Sequence, residues 1–271
     1  MAESSTPRDS ARSLSADERK RPALFAALGC LPMVFAPYLL LVVLSLGSGW
    51  TFPNLGPGRW DFRPWRAALA DSAGLVRSIA TSFVLSLMVG AASTTVGMFA
   101  GRMLRRSTSA VVRFIVYLPF VVSPAIAAVG LYDLLVRANL AGRTLGVAAV
   151  QTWFATTLAT IYFSESWSSK TERLELLVRN LGGGEWQVWR HAVWPRARGL
   201  IGACFIQTAL FSWTDYSLAS LIGGGQVPTI TVRLFAQLRE ASVNQAAAAA
   251  VVLVAPAAIA CLWRSPDDDA K

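Results

Sequence analysis

Arg179-Asn180-Leu181-Gly182-Gly183-Gly184-Glu185-Trp186-Gln187-Val188-Trp189-Arg190-His191-Ala192-Val193-Trp194-Pro195 lies between two apolar stretches, and its reading decides the fold. Arg179, Glu185, Arg190 and His191 keep this stretch out of lipid, and the run of glycines at 182–184 breaks it into a helical hairpin. Trp186 and Trp189 stand three residues apart and so share a helical face. A polar helix with an aromatic face, set between apolar runs, predicts an element that presses into a groove on another protein.

Outward from that loop the chain is apolar. Hydrophobic residues make up 54% and charged residues 15%, which places the chain in the membrane class. Six segments reach the roughly 20 residues needed to cross a bilayer, at about 24–47, 78–101, 114–136, 145–164, 200–222 and 245–263. The expected fold is therefore an all-α polytopic membrane protein of six transmembrane helices, with the polar loop 175–199 between the fourth and fifth. Residues 1–22 read as a polar, disordered tail, 23–264 as the transmembrane domain with a core at 75–263, and 265–271 as a second tail. The first apolar run is long, follows the polar tail and has no clear small-residue cleavage site after it, so it reads as an anchor.

Basic residues give the orientation. With both termini inside, 17 of the 25 Lys and Arg face the cytoplasm and 8 face out. The net charge of +9 is thus mostly a topology signal, and no basic face with stacking aromatics in a soluble domain suggests nucleic acid. Cys30, Cys204 and Cys261 fall inside expected spans and read as small buried hydrophobes. The segment 49–75, with Trp50, Phe52, Trp60, Phe62 and Trp65 among three prolines, reads as an aromatic lid at the outer interface. It could anchor at lipid headgroups or receive a binding protein.

Gly182, Trp186-Gln187, the bulky residue at 189, Val193 and the closing Pro195 together resemble the cytoplasmic loop of the permeases of type I ATP-binding-cassette (ABC) importers. In that family a Glu-Ala-Ala triplet precedes the glycine by six to four residues. Here those positions hold Leu176-Leu177-Val178, with Glu175 one place earlier, and Trp194 replaces the leucine before the proline. The resemblance implies that the loop is a coupling helix, with Arg179, Gly182, Glu185, Trp186, Trp189, Arg190 and Pro195 as its contact residues. It further implies a second permease subunit, identical or not, two cytoplasmic ATPase subunits that bind ATP and Mg, and an extracytoplasmic solute-binding protein. This chain itself would hold no cofactor and carry out no hydrolysis, and it would sit in a bacterial inner membrane. Arg179-Asn180-Leu181-Gly182, Ser212-Trp213-Thr214-Asp215-Tyr216 and Pro228-Thr229-Ile230-Thr231-Val232 look more like the permeases for thiamine, ferric iron, polyamines or small anions than those of the sugar branch.

Within the spans, polar groups are costly and each is a functional candidate. Asp215 lies among aromatics in the fifth span, roughly two-thirds of the way across at 1.5 Å per residue, and should face the bundle interior. It could meet a cationic or metal-bearing substrate, bond to a neighbouring helix, or lie exposed at the membrane interface. The candidate pathway residues are Ser123, Phe211, Trp213, Asp215 and Tyr216. Asp133 and Arg137 are spaced for a local ion pair, Pro119 and Pro124 predict a kink, and Gly223-Gly224-Gly225 predicts a flexible turn. No phosphate loop, paired histidines or nucleophile elbow occurs, and His191 has no partner ligand. Two rival classes remain open. An ion-coupled secondary transporter would need coupling-ion residues and usually a repeat, and a polytopic membrane enzyme would need a cluster of catalytic groups at one face.

Overall fold

The computed structural model describes residues 35–48, 58–70, 74–107, 109–166 and 169–262. The two polar tails, Cys30, Trp50 and Phe52 lie outside the described residues. The described residues begin with α1 (Phe35–Leu46), the two-residue antiparallel pair β1 (Gly47–Ser48) and β2 (Arg59–Trp60), and α2 (Arg63–Leu69). Next come α3 (Leu75–Arg106), α4 (Ala110–Val121), α5 (Pro124–Arg137), α6 (Thr144–Ser166) and α7 (Ser169–Asn180). A short α8 (Glu185–Gln187) runs through a π-helical turn (Val188–Val193) into α9 (Trp194–Thr214). The chain continues as α10 (Ser217–Gly223), α11 (Ile230–Arg239) and α12 (Val243–Leu262). It is an all-α membrane protein.

The long α3 is the centre of the bundle and packs mainly on α6 and α9. In lipid there is no hydrophobic drive between helices, so close approach of small residues must supply the packing. The buried face of α3 is made that way, from Ser86, Gly90, Ser93, Thr94, Gly97 and Gly101. A Cβ on Gly97 would sit 2.3 Å from Ala159 Cβ, and one on Gly101 would sit 2.7 Å from Phe163 Cβ, so only glycine permits this contact. A second core joins α3, α5, α6 and α10 through Leu85, Val89, Ala128, Val147, Ala155 and Leu218. A third joins Leu75, Trp213, Ile230 and Ala249. Phe83, Val96, Phe99, Phe114, Phe120 and Ile126 remain exposed, as suits surfaces facing lipid or another subunit.

Two of the expected spans are not single helices. The segment 114–136 is split into α4 and α5, which meet at a 100° bend. Pro124 occupies the first turn of α5, and it forces the preceding Ser123 into an extended conformation at ψ 134. The segment 200–222 begins earlier, at Trp194, and stops at Thr214; Asp215 is extended at ψ 127 before α10 starts. Among the described residues α3, α6 and Val243–Ala260 of α12 are long and apolar enough to cross a membrane, with the bent α4–α5 pair as a fourth. The α1 helix covers only part of the segment expected at 24–47. The other boundaries agree with expectation to within a few residues, and Gly224 and Gly225 do turn the chain, at φ 52 and 78.

Candidate functional site

The polar loop is built by backbone rules that its glycines and proline satisfy. Gly182 ends α7 at φ 81, a conformation open to glycine, while the N–H of Gly183 reaches the Val178 carbonyl at 2.9 Å and that of Gly182 reaches Arg179 at 3.0 Å. This is a Schellman closure. The side chain of Gln187 then accepts from the Gly184 N–H at 3.0 Å, starting α8. Pro195 lacks an N–H, and its ring would clash with the carbonyl four residues back. The chain widens into the π-helical turn at that point, with the Trp194 N–H bonded to Trp189 five residues back. The hairpin expected from the glycines is therefore α7, one turn, and a helix continuous with α9.

The inward face of this segment is anchored. Val188, Val193 and Ala197 are buried with Met98, Ala159, Phe163 and Cys204. On the outward face Trp186 is 73% exposed. Trp189 is half-buried, and its ring lies 5.4 Å from that of Trp194. The two tryptophans expected to act alike thus differ: Trp189 is a wall and Trp186 projects. With Glu185, Arg190 and Trp194 they line an open groove of about 580 Å³. Arg179 does not project outward on its own, because its guanidinium pairs with Glu185 at 2.5 Å. His191 Nδ1 donates to the Gln187 carbonyl at 3.0 Å and is exposed, as a helix-surface residue would be. Glu175 is turned inward onto Arg102 and Arg106 of α3, whereas Leu176 is 59% exposed.

The second region lies where the two spans break. Phe211 meets the α4–α5 bend at a cavity of about 200 Å³, which it lines with Pro119, Phe120, Pro124, Phe154 and Leu158. Ser123 sits at the bend itself and is exposed. Trp213, two residues on from Phe211, turns to another side of α9. It is buried in the third core, where its indole N–H donates to the Leu253 carbonyl at 2.9 Å. Tyr216 stacks on Phe235 with ring centres 4.2 Å apart.

Asp215 is held from several sides. Gln151 Nε2 donates to its Oδ2 at 2.9 Å, and the N–H groups of Leu218 and Ala219 donate to its oxygens at 3.4 and 3.1 Å. Ser212 in turn donates to Gln151 Oε1 at 2.7 Å, and Thr231 donates to the Asp215 carbonyl at 2.8 Å. The carboxylate therefore caps α10 and ties it to α6 through Gln151, which Ser212 of α9 holds in turn, while the backbone carbonyl of Asp215 makes the tie to α11. Of the three roles open to it in the sequence, this geometry builds the interhelical bond. Asp133 and Arg137 pair at 2.8 Å on the surface, as their spacing predicts.

Gln151, Ser212, Arg102 and the Gly97/Gly101 pair were not picked out as site or packing residues from the sequence. Gly97 and Gly101 do carry a signal, the small-xxx-small spacing of close membrane helices. Gln151 could be read only as a polar residue in a span, because its partner is 64 positions away.

The model of the binding-protein-dependent transport system inner membrane component family matches residues 76–263, which holds the α3–α12 bundle and the polar loop. The chain belongs to this family. It is an ABC importer permease, a transport component of the inner membrane. A bacterial ABC transporter involved in the import of the acidic polysaccharide alginate has a similar structure. The TM-score is 0.59 at 17% identity, over 91% of this chain and 96% of that one. At that identity the likeness shows the fold. A search of curated proteins returns no match. Family membership sets aside the secondary transporter and the membrane enzyme as readings of this permease.

Proposed function

We propose that this permease forms half of a substrate pathway and couples to a cytoplasmic ATPase through the loop 175–199. The observation that carries the reading is the open aromatic groove, with exposed Trp186 above Trp189 and Trp194, on a segment continuous with α9. A rigid helical connection passes a push on the groove directly into a membrane helix. Two copies of the ATPase, binding ATP and Mg, and a second permease subunit complete the assembly, and a solute-binding protein delivers substrate from outside. Both termini lie in the cytoplasm, on the side of the loop, and the six expected segments cross the membrane. The α4–α5 bend with Ser123 and Phe211, and the α9–α10 break with Asp215 and Tyr216, border the pathway; Trp213 supports it from behind.

Large aromatics that become desolvated on docking dominate interface energy, each worth roughly 2 kcal/mol or more on truncation. The double change Trp186→Ala and Trp189→Ala is expected to release the ATPase from a complex purified through a tag on this chain, or to uncouple hydrolysis. Glu185→Ala removes only an exposed ion pair and is expected to leave retention unchanged. Full retention with unchanged hydrolysis in the double variant shows that this loop is not the coupling element.

A further inference from the structure

Among the described residues Glu175 is the one charged side chain in the buried interior, 3% exposed. Both of its oxygens lie 3.0 Å from Arg102 Nη2, and Oε2 lies 3.4 Å from Arg106 Nη2. Arg102 and Arg106 are four residues apart on α3 and share a face. Arg102 is largely covered as well, so its bond to Glu175 is shielded from water, while Arg106 opens to solvent. Shielded pairs of this kind are strict about geometry, and removing one partner strands the other charge.

The placement of this cluster gives it a task. The body of α7 packs chiefly on the π-helical turn, and Glu175 gives it a polar link to α3. Next to Arg102 is Gly101, which with Gly97 locks α3 against α6 at the closest helix contact described above. The next residue of α7, turned by about 100°, is the exposed Leu176, so the loop acid faces into the bundle and away from any docked subunit.

We propose that Glu175, Arg102 and Arg106 form an ionic joint that holds α7 and the docking turn to the end of α3. A displacement received at Trp186 then moves α3, and with it α6, as one body with the loop. Glu175 is a positioning residue in this scheme. The proposal deepens the docking reading above and rests on it.

The test uses the full permease–ATPase complex with spin labels at Met103→Cys and Leu181→Cys, positions 73% and 79% exposed. The label separation is measured without nucleotide and after trapping with ATP and vanadate. In the otherwise unaltered chain the two separations are expected to agree within about 2 Å, the scale of small helix shifts. In Glu175→Gln they are expected to differ by more than about 5 Å, near one helical turn, with the ATPase still bound. The exchange Glu175→Arg with Arg102→Glu is expected to restore agreement. Equal separations in an assembled Glu175→Gln complex overturn the joint, as does a loop that moves against α3 in the unaltered chain. If Glu175→Gln yields no complex, recovery by the exchange supports the joint and failure to recover overturns it. The docking reading fails separately, when the Trp186/Trp189 double variant keeps its ATPase and normal hydrolysis.

Discussion

Replacing Asp215 separates a structural carboxylate from one kept for substrate. Asp215→Ala removes an acceptor for Gln151 Nε2 and for the N–H groups of Leu218 and Ala219 at once. Loss of a helix cap costs about 0.5–2 kcal/mol. Loss of one interhelical bond inside a membrane costs about 0.6 kcal/mol on average and up to about 1.7. The sum is about 1–4 kcal/mol, with a centre near 2. Asp215→Asn differs, because its oxygen can still cap α10. Its amide can donate to Gln151 if that amide flips and takes the Ser212 hydroxyl on its nitrogen side. The cost is then expected to stay below about 1 kcal/mol, one neutral hydrogen bond. Unfolding of the detergent-solubilised chain by titrated dodecyl sulfate, followed by tryptophan fluorescence, measures both. An Asp215→Ala chain within about 0.5 kcal/mol of the parent, the usual range for an inert surface change, refutes the capping account. Uptake in the complex then adds the functional half: if Asp215 also meets substrate, Asn alters transport while leaving stability nearly intact.

Gly97→Ala forces two helices apart at a 2.3 Å contact and is expected to cost about 1–3 kcal/mol in the same unfolding assay, whereas Gly130→Ala, which meets nothing within 4 Å, is expected to be neutral or slightly stabilising. Trp213→Phe removes the bond to the Leu253 carbonyl and is expected to lose about 1 kcal/mol by the same measurement, with ATPase retention unchanged. One cysteine added at Leu181 or at Glu240, in a chain lacking Cys30 and Cys261 and keeping only the buried Cys204, reports orientation: a membrane-impermeant thiol reagent is expected to label only the second from outside, and the reverse pattern inverts the topology.

The sequence by itself determined the membrane class, the helical fold and the special character of the loop at 179–195. Those properties depend on composition and on neighbours a few residues apart: long apolar runs, glycines that end α7, and a proline that widens the next turn. The bend at Ser123 was also legible as a kink at Pro124, although its 100° size was not. Tertiary structure alone decided which polar groups meet. Asp215 read as a carboxylate in a span with no partner that could be named until Gln151 arrived from 64 positions away. Glu175 read as a displaced loop acid until Arg102, 73 positions away, closed on it. Trp186 and Trp189 share a helical face by spacing, yet the stacking of Trp194 makes one a wall and leaves the other projecting. Local periodicity fixes the direction in which a side chain leaves its helix; what waits there depends on helices brought alongside by the small-residue face of α3, and no local pattern contains that.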